Sequence, residues 1–134
     1  MAGYSGTPLA AKLGIEEGSR LALLSAPPAL RLDLPPRVQV RRHSRGDADV
    51  VVAFFTARKR MEERLPALAS IIFPSGSLWL AWPKKASGVP TDLTDTAVRG
   101  AGLHGGLVDN KVCAIDATWS GLRFVWRVDN RRGR

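Results

Sequence analysis

Sulfur is scarce: a single cysteine, Cys113, in 134 residues excludes an intrachain disulfide and a multi-cysteine zinc site, so burial alone has to hold the fold. The histidines, His43 and His104, have no spacing suited to a metal and read as surface residues. The longest strictly apolar run, Val50 to Phe55, is far short of the roughly 20 residues that cross a bilayer, so no membrane partner is expected. The start, Met1-Ala2-Gly3-Tyr4-Ser5-Gly6, has no positive stretch leading into an apolar core, and position 2 is Ala rather than a myristoylated Gly. The expected location is therefore the cytoplasm. Internal repeats are missing, and a chain of 134 residues leaves no room for a second core. With 45% hydrophobic and 24% charged residues, the composition is that of a folded domain rather than a disordered chain.

Acid is missing from one stretch in particular. Residues 37–45 hold Arg37, Arg41, Arg42 and Arg45 with no carboxylate, and residues 127–134 hold four arginines against Asp129. Together these segments supply nearly all of the formal net charge of +8. Arg37, Arg41, Arg42 and Arg45 are candidates for weak nucleic-acid contact through phosphate, although no RNA- or DNA-binding motif accompanies them. Residues 129–134 read as a basic, flexible tail behind a single domain over residues 1–128.

Periodicity predicts alternating strands and helices. Thr7 to Gly14 reads as a short helix with Thr7 as cap and Pro8 at its first position. Arg20 to Ser25 is apolar on both faces, as in a covered strand. Pro27, Pro28, Pro35 and Pro36 bracket Ala29 to Leu34, leaving room for about one helical turn. Arg37 to Arg41 alternates as a half-exposed edge strand, and Asp49 to Thr56 is β-branched and aromatic, as in a central strand. Only His43 to Ala48 separate them, too few for a helical crossover, so either the pair is antiparallel or a strand-helix unit is missing. Met61, Leu65, Leu68 and Ile72 mark an amphipathic helix that Pro66 should kink or split. Ser77 to Trp82 is a buried strand, Leu93 to Leu103 a helix weakened by Gly100 and Gly102, and Leu107 to Asp116 with Gly121 to Val128 a terminal hairpin.

This order predicts an α/β three-layer sandwich with a mostly parallel sheet and a C-terminal antiparallel hairpin. Leu65-Pro66-Ala67 through Pro74-Ser75-Gly76-Ser77-Leu78-Trp79, then a helix and a hairpin, resembles the second half of the class I methyltransferase fold. Trp82-Pro83-Lys84-Lys85-Ala86-Ser87, Lys111 to Asp116 and Thr118-Trp119-Ser120-Gly121-Leu122-Arg123 resemble a bacterial family of short, single-domain proteins carried as a domain of unknown function. The resemblance implies a reduced Rossmann-like fold and no established activity. The anchors of S-adenosylmethionine are not in the pattern. Ser25-Ala26-Pro27-Pro28 stands where glycines should follow the first strand, and Arg41, Arg42 and His43 stand where an acid should grip the ribose. No cofactor is therefore expected.

Ligands of parallel sheets collect at the strands' carboxyl ends. The strand ending at Trp82 delivers Lys84 and Lys85 there, and the hairpin from Asp116 to Gly121 returns to the same edge. Lys84, Lys85, Ser87, Thr91, Asp116, Trp119, Ser120 and Arg123 form the candidate site, whose ammonium groups suit an anionic small molecule or an acidic protein partner. The expected role is a non-catalytic binding module; the alternative is a small enzyme in which Lys84 or Lys85 polarises an anionic substrate and Asp116 acts as base. Trp79, Trp82 and Trp126 read as packing, and Cys113 as a small buried thiol.

Overall fold

A computed structural model describes residues 8–132. The elements are α1 (Leu9–Lys12), β1 (Arg20–Leu24), β2 (Gln39–Arg41), β3 (Val50–Phe54), α2 (Arg58–Ile71), β4 (Ser77–Pro83), α3 (Asp95–His104), β5 (Leu107–Ala114) and β6 (Trp119–Trp126). They form one six-stranded sheet in the order β2-β1-β3-β4-β6-β5. The first four strands are parallel, and β6 runs antiparallel between β4 and β5. The expected sandwich is therefore present, with one parallel body and a terminal antiparallel pair.

Period-two alternation sends each central strand to both faces. Ala22 and Leu24, Val51 and Ala53, and Leu78, Leu80 and Trp82 join one core with Met61, Leu65 and Leu68 of α2 and Val98 of α3. Leu21 and Leu23, Val50, Val52 and Phe54, and Trp79 and Ala81 join the other with Ala10 and Leu13 from α1 and its flank. The two coverings differ in kind. Among the described residues the second face has no long helix: after a turn at Pro28 and Ala29 the proline-bracketed segment has no helical structure, and Leu30, Leu32 and Leu34 pack on the sheet while Arg31 and Asp33 stay exposed. Two Pro-Pro pairs disfavour helix on either side of it, and alternation then serves a sheet face as well as a helix would.

Neither β2 nor β3 pairs with the other; both run parallel to β1, which separates them. Arg41 is level with Ala22 and Val50 with Leu21, so the connection retraces about one residue of strand, roughly 3.3 Å. Residues 42–49 cover that without a helix. They cross on the α2 side, where the Ala48 amide donates to the Ile71 carbonyl at 3.1 Å and Arg64 donates to the Ser44 hydroxyl at 3.1 Å. The missing-unit alternative is the one this geometry matches.

Pro66 neither ends nor divides α2, which runs unbroken from Arg58 to Ile71. Pro66 lies on the exposed side, away from Leu65 and Leu68, where water can take the carbonyl that its missing N–H leaves unpaired. A register shift between Asp109 and Lys111 turns β5 over, so Leu107 packs in the helix-side core and Cys113 in the opposite one. Trp119 is not in a turn but opens β6, level with Pro83. Beyond β6, Asn130 donates to the Gly106 carbonyl and Arg131 to the Trp126 carbonyl, each at 3.0 Å. No helix among the described residues is long and apolar enough to cross a membrane. Thr7, expected as the cap of α1, lies outside the described residues; α1 starts after Pro8 without a side-chain cap.

Candidate functional site

After β1 the chain goes to β2 on one side and then to β3 on the other, so the sheet's topological switch point lies between the carboxyl ends of β1 and β3. A cleft of about 530 Å³ opens there. One wall is cationic: Arg42 and Arg45 come from the β2–β3 loop, Arg60 and Arg64 from α2, and no carboxylate lines it. The rest of the lining includes Leu24, Phe55 and Leu68 from the helix-side core and Phe54 and Trp119 from the opposite one. Trp119 meets Phe54 edge to face, with centroids 5.1 Å apart and planes at 85°.

Local chemistry fixes each part. Arg60 and Arg64 are four apart on α2 and so project from one helical face. The loop that carries Arg42 and Arg45 is wound around the Arg41 guanidinium, which donates to the carbonyls of His43 at 3.1 Å, Asp47 at 2.9 Å and Gly46. Gly46 supplies the left-handed turn at φ +87°. His43 also lines the cleft, and its Nδ1 accepts from the Arg45 amide at 3.3 Å. Desolvation, then the Arg45 and Arg41 charges, push the His43 pKa down. At the N-terminus of α2, Asp92 accepts from the Arg58 amide at 2.7 Å, and Thr91 donates to the Thr56 carbonyl at 2.6 Å, holding this rim of the cleft.

The two loops expected to converge do meet: the Lys84 amide donates to the Thr118 carbonyl at 2.7 Å. Several of their polar groups are engaged in the loops' own structure. Ser87 donates to the Lys84 carbonyl at 2.7 Å and accepts from the Val89 amide at 3.2 Å. Thr91 accepts from the Leu93 amide at 3.0 Å, and Asp116 accepts from the amides of Thr118 and Trp119, both at 2.8 Å. Lys85 opens an exposed 3-10 turn, Lys85–Ser87, and Ser120 is level with Trp82. Arg123, level with Trp79, stands well down β6, donating to Asn110 at 3.2 Å and lining a hollow with Glu16, Glu17 and Asp49. Of these eight candidates, Trp119 lines the switch-point cleft.

The four candidate phosphate contacts separate likewise. Arg37 is paired with Glu17 and Arg41 holds its own loop, whereas Arg42 and Arg45 face the cleft. Arg60 and Arg64 escaped sequence reasoning because charged residues around an amphipathic helix read as its solvated face. Their signal was positional: an i, i+4 arginine pair at the start of the helix that follows the central strand. Cys113 is a buried thiol whose pKa burial pushes up. Trp79 and Trp126 pack in the cores and donate to the carbonyls of Leu13 at 2.9 Å and Ala69 at 2.8 Å. Among the described residues no cluster of His, Cys, Asp and Glu is arranged to hold a metal ion.

No protein-family model and no curated protein sequence matches the chain. Solved structures do match in fold. Magnesium protoporphyrin IX methyltransferase from Synechocystis, with bound S-adenosylmethionine, superposes with a TM-score of 0.58 at 12% identity, over 89% of this chain and 74% of that one. A protein from Thermoplasma acidophilum assigned as a methyltransferase gives 0.54 at 8% identity, over 85% and 70%. LepI in complex with S-adenosylhomocysteine and a substrate analogue gives 0.55 at 13% identity, over 89% of this chain and 39% of LepI. At such identities the likeness concerns the fold: this sheet is methyltransferase-like and Rossmann-like.

Proposed function

We propose that this chain is a non-catalytic binding module that holds an anionic small molecule in the switch-point cleft. The observation that carries the reading is the wall of Arg42, Arg45, Arg60 and Arg64 with no carboxylate lining the same cleft. Guanidinium groups bind carboxylate and phosphate through paired hydrogen bonds, and in a recess each such bond contributes about 1.5–3 kcal/mol. Trp119 joins this site to the loops of Lys84 and Asp116, whose side chains border it in the proposal.

The residues present do not fit S-adenosylmethionine. That molecule carries a sulfonium and an ammonium against one carboxylate, so it is a net cation, and a wall of four guanidinium groups repels it. At the β1 turn Ser25 takes φ +59°, the left-handed region that favours glycine, and puts a side chain where backbone would approach the cofactor. Pro27 and Pro28 offer no amide donors. Kinship with the bacterial family of short single-domain proteins and a cytoplasmic location belong to the same proposal.

The test is a thermal-shift and calorimetric titration of the full chain with inorganic pyrophosphate and with S-adenosylmethionine. Pyrophosphate is expected to raise the melting temperature, since a ligand at 100 times its Kd stabilises by about 2.7 kcal/mol. Arg60→Gln with Arg64→Gln, at an exposed and a half-buried position outside both cores, should keep the fold and weaken binding at least about tenfold. Saturable binding of S-adenosylmethionine without binding of pyrophosphate would overturn the reading, and an acidic peptide displacing pyrophosphate would point to a protein partner instead.

A further inference from the structure

We infer that the ligand of this cleft is a nucleoside polyphosphate, with its phosphates on the arginine wall and its base against Trp119. The inference rests on the anion-binding reading above and narrows it by two observations. The first is charge: four guanidinium groups line the cleft with no acid among them. A ligand with a single negative charge would leave most of that wall uncompensated, whereas two or three linked phosphates match it. The second is the aromatic part of the lining, the half-buried rings of Phe55 and Trp119. An inorganic anion has no use for that surface. A planar, weakly polar ring does, because bases stack on aromatic side chains with little regard to sequence.

The lining also carries hydroxyl groups that a sugar can use, those of Ser25 and Thr56. Trp119 is half-buried, fixed against Phe54 yet still presenting surface to the cleft. A cavity of about 530 Å³ is within the usual range of small-molecule sites, about 300–1,000 Å³.

The experiment compares ATP with inorganic tripolyphosphate on the wild-type chain and on Trp119→Leu, by calorimetry at one salt concentration. ATP should bind about tenfold tighter than tripolyphosphate, and Trp119→Leu should bring the two to within about threefold while leaving the tripolyphosphate affinity unchanged. A measurement on the wild type alone covers the case in which the variant fails to fold: saturating the indole resonances should transfer magnetisation to the adenine protons of bound ATP. Equal affinities for the two ligands, with no transfer to the base, would overturn the nucleotide inference and leave the anion-binding reading standing. Binding of neither ligand would overturn both.

Discussion

Gly100 and Gly102 lie two residues apart in α3, and the structure assigns their alanine substitutions opposite signs. Alanine is favoured over glycine inside a helix by about 1 kcal/mol. At Gly100 that is the whole effect, since a Cβ there meets nothing within 4 Å. At Gly102 the same Cβ would stand 2.1 Å from Cε1 and 2.5 Å from Cδ1 of Phe124. Phe124 is completely buried in β6, so its ring has no free volume to turn into. Overpacking of a core costs about 1–3 kcal/mol, and so severe an overlap belongs at the upper end; after the helical gain, Gly102→Ala should destabilise by about 2 kcal/mol. Urea unfolding followed by circular dichroism reads both variants. The midpoint should rise for Gly100→Ala and fall for Gly102→Ala at constant m. Adding Phe124→Leu to Gly102→Ala should recover about 1 kcal/mol relative to additivity. Stabilisation by Gly102→Ala would refute the close approach of α3 to β6 on which the helix-side core depends.

Replacing Pro66 by Ala restores an amide to the interior of α2 and should stabilise by about 2 kcal/mol, read as a higher urea midpoint. Arg20 donates to both carboxylate oxygens of Asp49, at 2.9 and 3.3 Å, and its amide adds a bond at 2.8 Å, which together hold the Asp49 pKa down. A depressed folded pKa gives stability that is present above the ordinary aspartate value of about 4 and is lost as pH falls through the folded value. Asp49→Asn should therefore flatten the acid limb of the stability curve below about pH 4 while leaving a constant offset at neutral pH, as measured by chemical denaturation across pH. Arg41→Gln removes the group that winds residues 43–47, so pyrophosphate affinity should fall about tenfold while the melting temperature changes little, since residues 43–47 lie outside both cores.

The strands and α2 were legible because their signals are local. A run such as Val50 to Phe54 can go only to the middle of a sheet, and Met61, Leu65 and Leu68 can share only a helix face. The signs of Gly100 and Gly102 were not legible, since what separates them is one ring from β6, a contact between elements. The same reason hid the cleft. Arg42 and Arg45 were visible as an acid-free run, and Trp119 as an aromatic that core packing did not explain. What joins them to Arg60 and Arg64 is the lateral order β2-β1-β3, which depends on an eight-residue crossover that periodicity does not describe. Polar groups such as Asp116 and Ser87 drew attention by their chemistry, although backbone amides and carbonyls in their own loops engage them.

Nitrogen-15 spectra of the arginine side chains during a pyrophosphate titration show whether the switch-point cleft is where this protein takes its anion. The Nε resonances of Arg42, Arg45, Arg60 and Arg64 should shift saturably, with those of Arg20, Arg37 and Arg123 unmoved. Saturable binding that leaves the four cleft arginines unmoved, or that shifts the amides of Lys84 and Lys85 in their place, would contradict it.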